Sequence, residues 1–491
     1  MSMLAQLGVR VLAAATILGV LGDLLLRGTP WGVNLPLWIG TACAAGWLMI
    51  AEPAEGRVRI AGWPLLTALF FSLCFAWRDS EFLLVWNGVA ILCALSLPAL
   101  KLHGVRLRVG RITDYAMGLA ASGLNAVAGP TLLPREELNV GRMSRHGPRA
   151  RAVTLGVILA VPVLFVFGGL LMSADPGFER LVRSLVDWDF ETIASHIALA
   201  GFLAWTASGV LRPLAIGRNP VLALGDTVLG KAPQRPHLGI VELGIPLGAL
   251  GLIFLVFTGL QARYLFGGEA VILQTAGLTY ADYARGGFFE LVVVAALLLP
   301  VLLGAEWLLD QRTPKHLTRF RVLAGMLLVL IALIVLSAIL RMRLYMDTYG
   351  LTGDRFYAMA FMLWIGVVLI LFGATVLRGM RDRFAFGAIV TGFITLGVLN
   401  VMNPDAIIAR TNLTRAEAGA EFDVDHVKQL SADAVPELVS RAPVLLSGEQ
   451  CEVFWKIIRG KATTETDWRT WNLSRARAHR IVSAAPTPDC S

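Results

Sequence analysis

Long apolar runs restrict the fold of this chain more than any other feature of its sequence. A run of roughly 20 apolar residues is long enough to cross the hydrocarbon core of a bilayer as one helix. About eleven such runs occur, near residues 8–26, 34–51, 60–77, 82–100, 152–172, 192–211, 239–259, 288–309, 322–340, 356–377 and 384–401. Inside lipid, every backbone N–H and C=O needs a partner in its own segment or in a closed barrel. The sequence therefore predicts an all-α fold, a polytopic transmembrane helical bundle.

The composition excludes a soluble globular protein. Of the 491 residues, 56% are hydrophobic and only 16% are charged, whereas soluble domains are nearer a quarter charged. The formal net charge of +8 would suggest nucleic acid in a soluble chain, but no basic stripe with interleaved aromatic residues occurs. We expect membrane lipids as the surroundings and no nucleic-acid partner.

The charges of the loops predict the orientation of the chain. Residues 101–151 carry nine Lys or Arg against three Asp or Glu, which is typical of a cytoplasmic loop. The next loop, 173–191, carries five acidic residues against two basic ones and is predicted to lie outside. Alternating from these two loops, the N-terminus is predicted to be cytoplasmic and the C-terminal tail to lie on the outer side.

The tail differs in composition from the rest of the chain. Residues 402–491 contain eleven Lys or Arg and twelve Asp or Glu, and they include ordinary amphipathic stretches. We therefore predict two domains, a transmembrane helical bundle at 1–401 and a small helical extramembrane domain at 402–491. Cys451 and Cys490 both lie in the tail, where an oxidising compartment would allow a disulfide between them. The alternative is that they are two unrelated thiols.

A short polar stretch, 341–355, interrupts two apolar runs. Charges this close to lipid are costly unless they are paired, hydrated or functional. Within the stretch, Tyr-Gly-Leu-Thr at 349–352 is predicted to lead into the next helix, with Thr352 as its cap. We expect the stretch to be a loop on the outer face.

Together with two other connections, this stretch brings a cluster of polar residues to the outer face. The predicted ligand-binding residues are Arg285, Glu290, Arg341, Arg343, Tyr345, Tyr349, Arg355, Asp405 and Arg410. Arginine binds phosphate or carboxylate through two parallel hydrogen bonds, and tyrosine adds a hydroxyl beside a flat apolar ring. We hypothesise that Arg343 and Arg355 contact an anion, which the Tyr349 hydroxyl orients.

Catalytic and metal-binding motifs do not appear in the sequence. There is no G-x-S-x-G, no H-E-x-x-H and no cysteine pair at metal spacing. We therefore predict no metal and no cofactor, while the question of enzymatic activity stays open. His196 is expected to be a satisfied core group. Asp23, near the end of the first run, is expected to reach the lipid headgroups.

Five segments of the chain resemble a known family. They are residues 279–291, 343–355, 403–412, 431–436 and 468–477, and they include the Tyr-Gly-Leu-Thr motif and Asn-Pro-Asp-Ala at 403–406. These segments are similar to those of bacterial multi-spanning membrane proteins catalogued only as a domain of unknown function. The resemblance implies a bacterial inner-membrane location, with periplasm on the outer side. It implies no substrate or reaction.

The outer-face cluster supports several functions. The first is binding of an anionic lipid headgroup or small solute. A secondary transporter or flippase would need a polar path that continues to the cytoplasmic side. A membrane scaffold or sensor would act through its tail on a periplasmic protein partner. The cluster would be only a clamp between tail and bundle if every one of its charges were paired within the chain.

Overall fold

The described part of the chain is almost entirely helical. A computed structural model describes residues 3–27, 30–50, 54–102, 104–136, 190–217, 238–276, 288–309, 314–462, 467–485 and 490. The α-helices of these residues are α1 (Met3–Leu26), α2 (Asn34–Met49), α3 (Ala54–Trp77), α4 (Glu81–Leu102), α5 (Ile112–Glu136), α6 (Phe190–Ile216), α7 (Ile240–Ala276), α8 (Phe288–Leu308), α9 (Pro314–Tyr349), α10 (Gly353–Thr375), α11 (Phe384–Met402), α12 (Pro404–Glu417), α13 (Val435–Arg441), α14 (Gly448–Lys461) and α15 (Leu473–Ala484). Short 3₁₀ helices lie at Leu107–Val109, Arg381–Arg383, Asp425–Gln429, Ala432–Ala434, Ala442–Val444 and Trp468–Thr470. The predicted all-α fold is confirmed.

Most of the predicted apolar runs form helices that are long enough to span a membrane. Among the described residues, 9 helices are long and apolar enough to cross a membrane. The run at 34–51 forms α2, which has only 16 residues, and the run at 152–172 lies outside the described residues. The other nine predicted runs each fall in one of these helices. The chain is therefore a multi-pass membrane protein.

Helix α9 extends well past its apolar run. It has 36 residues and continues through the polar stretch to Tyr349, so the loop expected at 341–355 is reduced to a turn at 350–352. Backbone hydrogen bonding continues along a helix after its apolar residues end, because each added residue forms one more bond. Gly350 adopts φ +79° in the turn, a conformation that costs glycine little. Thr352 occupies the N-cap of α10, although its side chain makes no capping hydrogen bond among the described residues.

One compact unit comprises residues 1–69, 93–104 and 117–224. In it α1 packs closely on α6, and a Cβ added to Gly19 would lie only 2.4 Å from the Ala200 carbonyl oxygen. Small residues allow helices in a membrane to approach in this way. Asp23 is buried and pairs with Arg27 and with His196 Nδ1 at 2.5 Å. Asp23 was expected to reach the lipid headgroups, and the structure differs. Helix α6 brings His196 to the Asp23 carboxylate, which is buried.

The other compact unit comprises residues 70–92, 105–116 and 225–491. Helix α9 lies at the centre of its membrane-spanning core and packs against α7, α8 and α10. Leu327 and Ile331 of α9 have no exposed surface. An ion pair of 2.6 Å joins Glu306 at the end of α8 to Arg381 before α11. A continuous apolar core therefore holds the helices that carry the candidate site.

A second apolar core in this unit is formed by the tail. Helices α12 to α15 contribute fully buried side chains such as Ile408, Leu438 and Phe454. Leu351, from the turn between α9 and α10, belongs to the same core. A disulfide joins Cys451 of α14 to Cys490, with 5.6 Å between their Cα atoms. The tail thus has its own core, and that core includes a residue of a membrane-proximal turn.

Candidate functional site

A buried carboxylate organises the contact between the tail and the turn that joins α3 to α4. Asp433, which is 4% exposed, accepts hydrogen bonds from Arg78 Nη1 at 3.2 Å and from the backbone N–H groups of Asp79 at 2.7 Å and Ser80 at 3.2 Å. The hydroxyl of Ser474 also lies within hydrogen-bond distance of it. We call Arg78, Asp79, Ser80, Asp405, Ser431, Asp433, Asn472, Ser474 and Arg475 the Asp433 network. Its central carboxylate holds the turn in one conformation.

Two side chains of the Asp433 network satisfy the ends of membrane helices. The last carbonyl groups of a helix have no partner within it and carry partial negative charge. Arg78 donates to two of them at the end of α11, from Nε to the Asn400 oxygen at 2.6 Å and from Nη2 to the Val401 oxygen at 3.2 Å. Asn472 Nδ2 donates to the Phe75 and Arg78 oxygens at the end of α3. The α3–α4 turn and the tail thus each supply a partner that water would otherwise provide.

Two more carboxylates belong to the same network: Asp405 is buried, and Asp79 is half-buried. Asp79 pairs with Arg475 Nη1 at 2.7 Å, and Asp405 accepts a hydrogen bond from the Ser431 backbone N–H at 3.0 Å. Burial raises the pKa of both Asp79 and Asp405, more than their partners lower it. The neighbouring Asp433 carboxylate raises both pKa values further. The network thus contains acids that bind a proton more tightly in the folded protein than in the unfolded chain.

The raised pKa of these carboxylates should make the stability of the folded protein depend on pH. An acid whose pKa is raised on folding stabilises the protein at low pH, and the contribution is lost as pH rises through the raised pKa. Asp405→Asn should therefore reduce the loss of stability that accompanies a rise in pH above about 4, the usual pKa of an aspartate. Thermal unfolding of the purified protein across this range measures the slope. Asp467→Asn is the control. The Arg469 hydrogen bond lowers the pKa of Asp467, so the titration of Asp467 changes the stability only below this pH range. An unchanged slope in Asp405→Asn would contradict the prediction.

A pocket of about 220 Å³ lies between the α9–α10 turn and the tail. We call it the Tyr349 pocket. The polar residues that line it are Tyr349, Thr352, Arg355, Asn412, Arg415, Glu421, Asp423 and His426. Leu351, Leu430 and Leu438 are among its apolar lining residues. Small-molecule sites usually have a mostly apolar lining with a few convergent polar groups, and this pocket is more polar, which suits a small charged ligand.

Two guanidinium groups stand at the end of α9, in the wall of the Tyr349 pocket. Arg355 Nη1 donates to the Tyr349 and Gly350 oxygens at 3.2 and 2.5 Å, and its guanidinium carbon lies 4.1 Å from the centroid of the Tyr345 ring. Arg415 Nη2 donates to the Thr348 oxygen at 2.7 Å. Cations at a helix C-terminus are stabilised by its dipole. Because each guanidinium has five donors, these bonds position both groups and use only part of their capacity.

The predicted site residues separate into different groups. Tyr345, Tyr349 and Arg355 are brought together, with 5.1 Å between the two tyrosine ring centroids. Asp405 joins the Asp433 network, Arg410 pairs with Glu437 on the surface, and Arg341 is buried and donates to Gln261. Glu290 and Arg343 are exposed, and Arg285 lies outside the described residues. Only part of the predicted cluster therefore borders the pocket.

Sequence reasoning missed the residues that organise the tail contact. The predicted site residues do not include Arg78, Asp79, Asp433, Asn472 or Arg475. The last three lie within the segments at 431–436 and 468–477 that carry the family resemblance. The charged residues Arg78 and Asp79, in a turn between two apolar runs, were the other feature of the sequence that could have indicated this contact. Neither signal indicates which residues meet.

The fold and the two sites define an α-helical multi-pass membrane protein whose tail is attached through buried polar contacts. The chain belongs to the family described as domain of unknown function (DUF4153), which matches residues 65–440. This confirms the prediction that the chain belongs to a family catalogued only as a domain of unknown function. No curated protein and no solved structure matches the chain. The matched residues include the turn at 78–80, Asp433 and every residue lining the Tyr349 pocket.

Proposed function

We propose that this protein is a bacterial inner-membrane protein that binds an anionic lipid headgroup or small solute in the Tyr349 pocket, on the periplasmic side. The N-terminus is cytoplasmic in this proposal, as the basic loop at 101–151 indicates. The observation that carries the proposal is the pair of guanidinium groups, Arg355 and Arg415, in the wall of one pocket. In this proposal the second anion contact is Arg415, whereas the sequence suggested Arg343.

The surroundings of the pocket support an anionic ligand. Arg355 and Arg415 are held by backbone carbonyl groups, so their positions are set before a ligand binds. Groups fixed in advance bind with a smaller loss of conformational entropy. Tyr349 is 54% exposed and offers a hydroxyl at the pocket. A phosphate or carboxylate is the group that arginine binds best.

Loss of both guanidinium groups should release a bound phospholipid. The full chain, purified in a mild detergent, is mixed with equal amounts of phosphatidylglycerol and phosphatidylethanolamine and examined by native mass spectrometry. In Arg355→Gln/Arg415→Gln we expect retained phospholipid to fall at least about tenfold, since each charged hydrogen bond contributes about 1.5–3 kcal/mol. In parallel, inorganic phosphate is titrated by calorimetry into the unmodified protein and into the double variant, which tests whether the ligand is soluble.

A matched control removes two arginines of the tail that lie outside the pocket. Arg410→Gln/Arg441→Gln changes the charge equally, but these residues pair with Glu437 and Glu417 and do not line the pocket. We expect this variant to retain phospholipid and phosphate as the unmodified protein does. Equal retention in both double variants, with melting temperatures showing that both are folded, would refute the proposal.

A second function, as a scaffold or sensor that acts through its tail on a periplasmic protein, is favoured by the Asp433 network. The network connects the tail to the ends of α3 and α11 through Arg78 and Asn472. A partner bound to the tail would therefore act on groups that contact membrane helices. Crosslinking in cells, followed by identification of partners lost with Asp433→Ala, tests this candidate.

A further inference from the structure

The Tyr349 pocket is lined by anions as well as by cations. Glu421 and Asp423 line it together with Arg355 and Arg415. Asp423 Oδ1 accepts a hydrogen bond from the His426 backbone N–H at 3.1 Å, which leaves its second oxygen available. Within the described part of the chain, neither carboxylate forms an ion pair. The described residues therefore leave both carboxylates of the pocket without a salt-bridge partner.

The charge balance of the pocket disfavours a ligand that is only anionic. Arg355 and Arg415 both face the carbonyl end of α9, and a helix C-terminus carries roughly half a negative charge. The two guanidinium groups and the two carboxylates cancel, and the negative end of α9 is offset by the positive N-terminus of α10 at Gly353, so the pocket is close to neutral. An anion alone would be attracted by the guanidinium groups and repelled by the carboxylates. A ligand with charges of both signs can pair with both kinds of side chain.

His426 provides a neutral polar group in the same pocket. Its Nε2 is buried and, among the described residues, has no hydrogen-bond partner. Burial lowers the pKa of His426; Arg355 lowers it further, and the Asp423 carboxylate partly opposes both. The imidazole is therefore neutral at neutral pH and adds no charge to the pocket.

We infer that the ligand of the Tyr349 pocket is a small zwitterion, with a phosphate or carboxylate bound by Arg355 and Arg415 and a primary ammonium bound by Asp423 and Glu421. This inference rests on the proposed function and adds the second charge. The pocket volume of about 220 Å³ exceeds the roughly 150 Å³ of a cavity that admits benzene. It therefore has room for a group such as phosphoethanolamine, either free or as the headgroup of a phospholipid.

Titration with three soluble probes separates the two charges. O-phosphoethanolamine, inorganic phosphate and ethanolamine are each titrated by calorimetry into the full chain in detergent, at one ionic strength. We expect O-phosphoethanolamine to bind at least about tenfold more tightly than phosphate, which corresponds to about 1.4 kcal/mol. Asp423→Asn should weaken this preference severalfold, because asparagine can still accept the His426 N–H bond but no longer attracts an ammonium group, which leaves only Glu421 to do so.

A neighbouring aspartate provides the control. Asp425→Asn removes the same charge two residues away, where Asp425 is exposed, pairs with Lys428 and does not line the pocket. It should keep the full preference for O-phosphoethanolamine. Glu421→Gln, at an exposed residue of the pocket rim, is a second test of the carboxylates if Asp423→Asn does not fold.

Lipid retention identifies the source of the headgroup. Native mass spectrometry with phosphatidylethanolamine and phosphatidylglycerol in separate samples should show preferential retention of phosphatidylethanolamine if the ligand is a lipid. Binding of O-phosphoethanolamine without lipid preference would support the inference with a soluble ligand. Equal binding of phosphate and O-phosphoethanolamine, or preference for phosphatidylglycerol, would overturn the inference and leave the proposed function standing. If no probe and no lipid binds through Arg355 and Arg415, both fail.

Discussion

Replacing Asp433 with alanine is expected to detach the tail from the turn at 78–80. The substitution leaves Arg78 buried without its carboxylate and removes the acceptor of the Asp79 and Ser80 N–H groups. Removing one partner of a buried ion pair typically costs about 3–5 kcal/mol. A cost of this size raises the population of the detached state by more than about a hundredfold.

Limited proteolysis of the purified protein measures this detachment, because cleavage follows the population of the open form when opening is fast. We expect the tail of Asp433→Ala to be cut much faster than that of the unmodified protein. Glu437→Ala is the control: its surface pair with Arg410 should contribute no more than about 1 kcal/mol. If the two variants were cut at the same rate, the central role of Asp433 would be wrong.

Loss of the disulfide between Cys451 and Cys490 should have the second-largest effect. The bond joins residues separated by 39 positions, and a loop of this length restricts the unfolded chain by about 3–4 kcal/mol in the chain-entropy estimate. Cys451→Ala/Cys490→Ser should therefore lower the unfolding temperature of the tail. Reduction of the unmodified protein should give the same result.

Thermal unfolding with and without reductant measures the effect, and mass spectrometry of alkylated protein confirms the redox state. Cys93→Ala is the matched control, because Cys93 is a free cysteine in α4. We expect this variant to keep the response to reductant. If complete reduction of the bond left the unfolding temperature unchanged, the disulfide would not be stabilising the tail.

Much of the fold was predictable because it depends on local patterns. An apolar run long enough to cross a bilayer forms a helix whatever surrounds it, since its backbone has no other partner in lipid. The ends of the helices were less predictable. Helix α9 continues to Tyr349, because arginines and tyrosines are acceptable helix residues and only the turn at Gly350 ends it.

The candidate site was predictable in part. Tyr349 and Arg355 are close in sequence, and the structure brings both to the Tyr349 pocket. Arg415, Asp423 and His426 complete the pocket from the tail, and nothing in their local sequence indicates this position. Arg343 is near Arg355 in sequence, but helix α9 leaves it exposed and outside the pocket lining.

The sequence by itself determined that the chain is an all-α membrane protein and that residues 349–355 carry polar groups at a membrane boundary. Only the tertiary structure decided how the charges are paired. Asp433 meets Arg78 across 355 positions of sequence, and Asp79 meets Arg475 across 396. Hydrophobic patterning is local and repeats along the chain, whereas the partner of a buried charge is set by which helix ends meet when the helices pack.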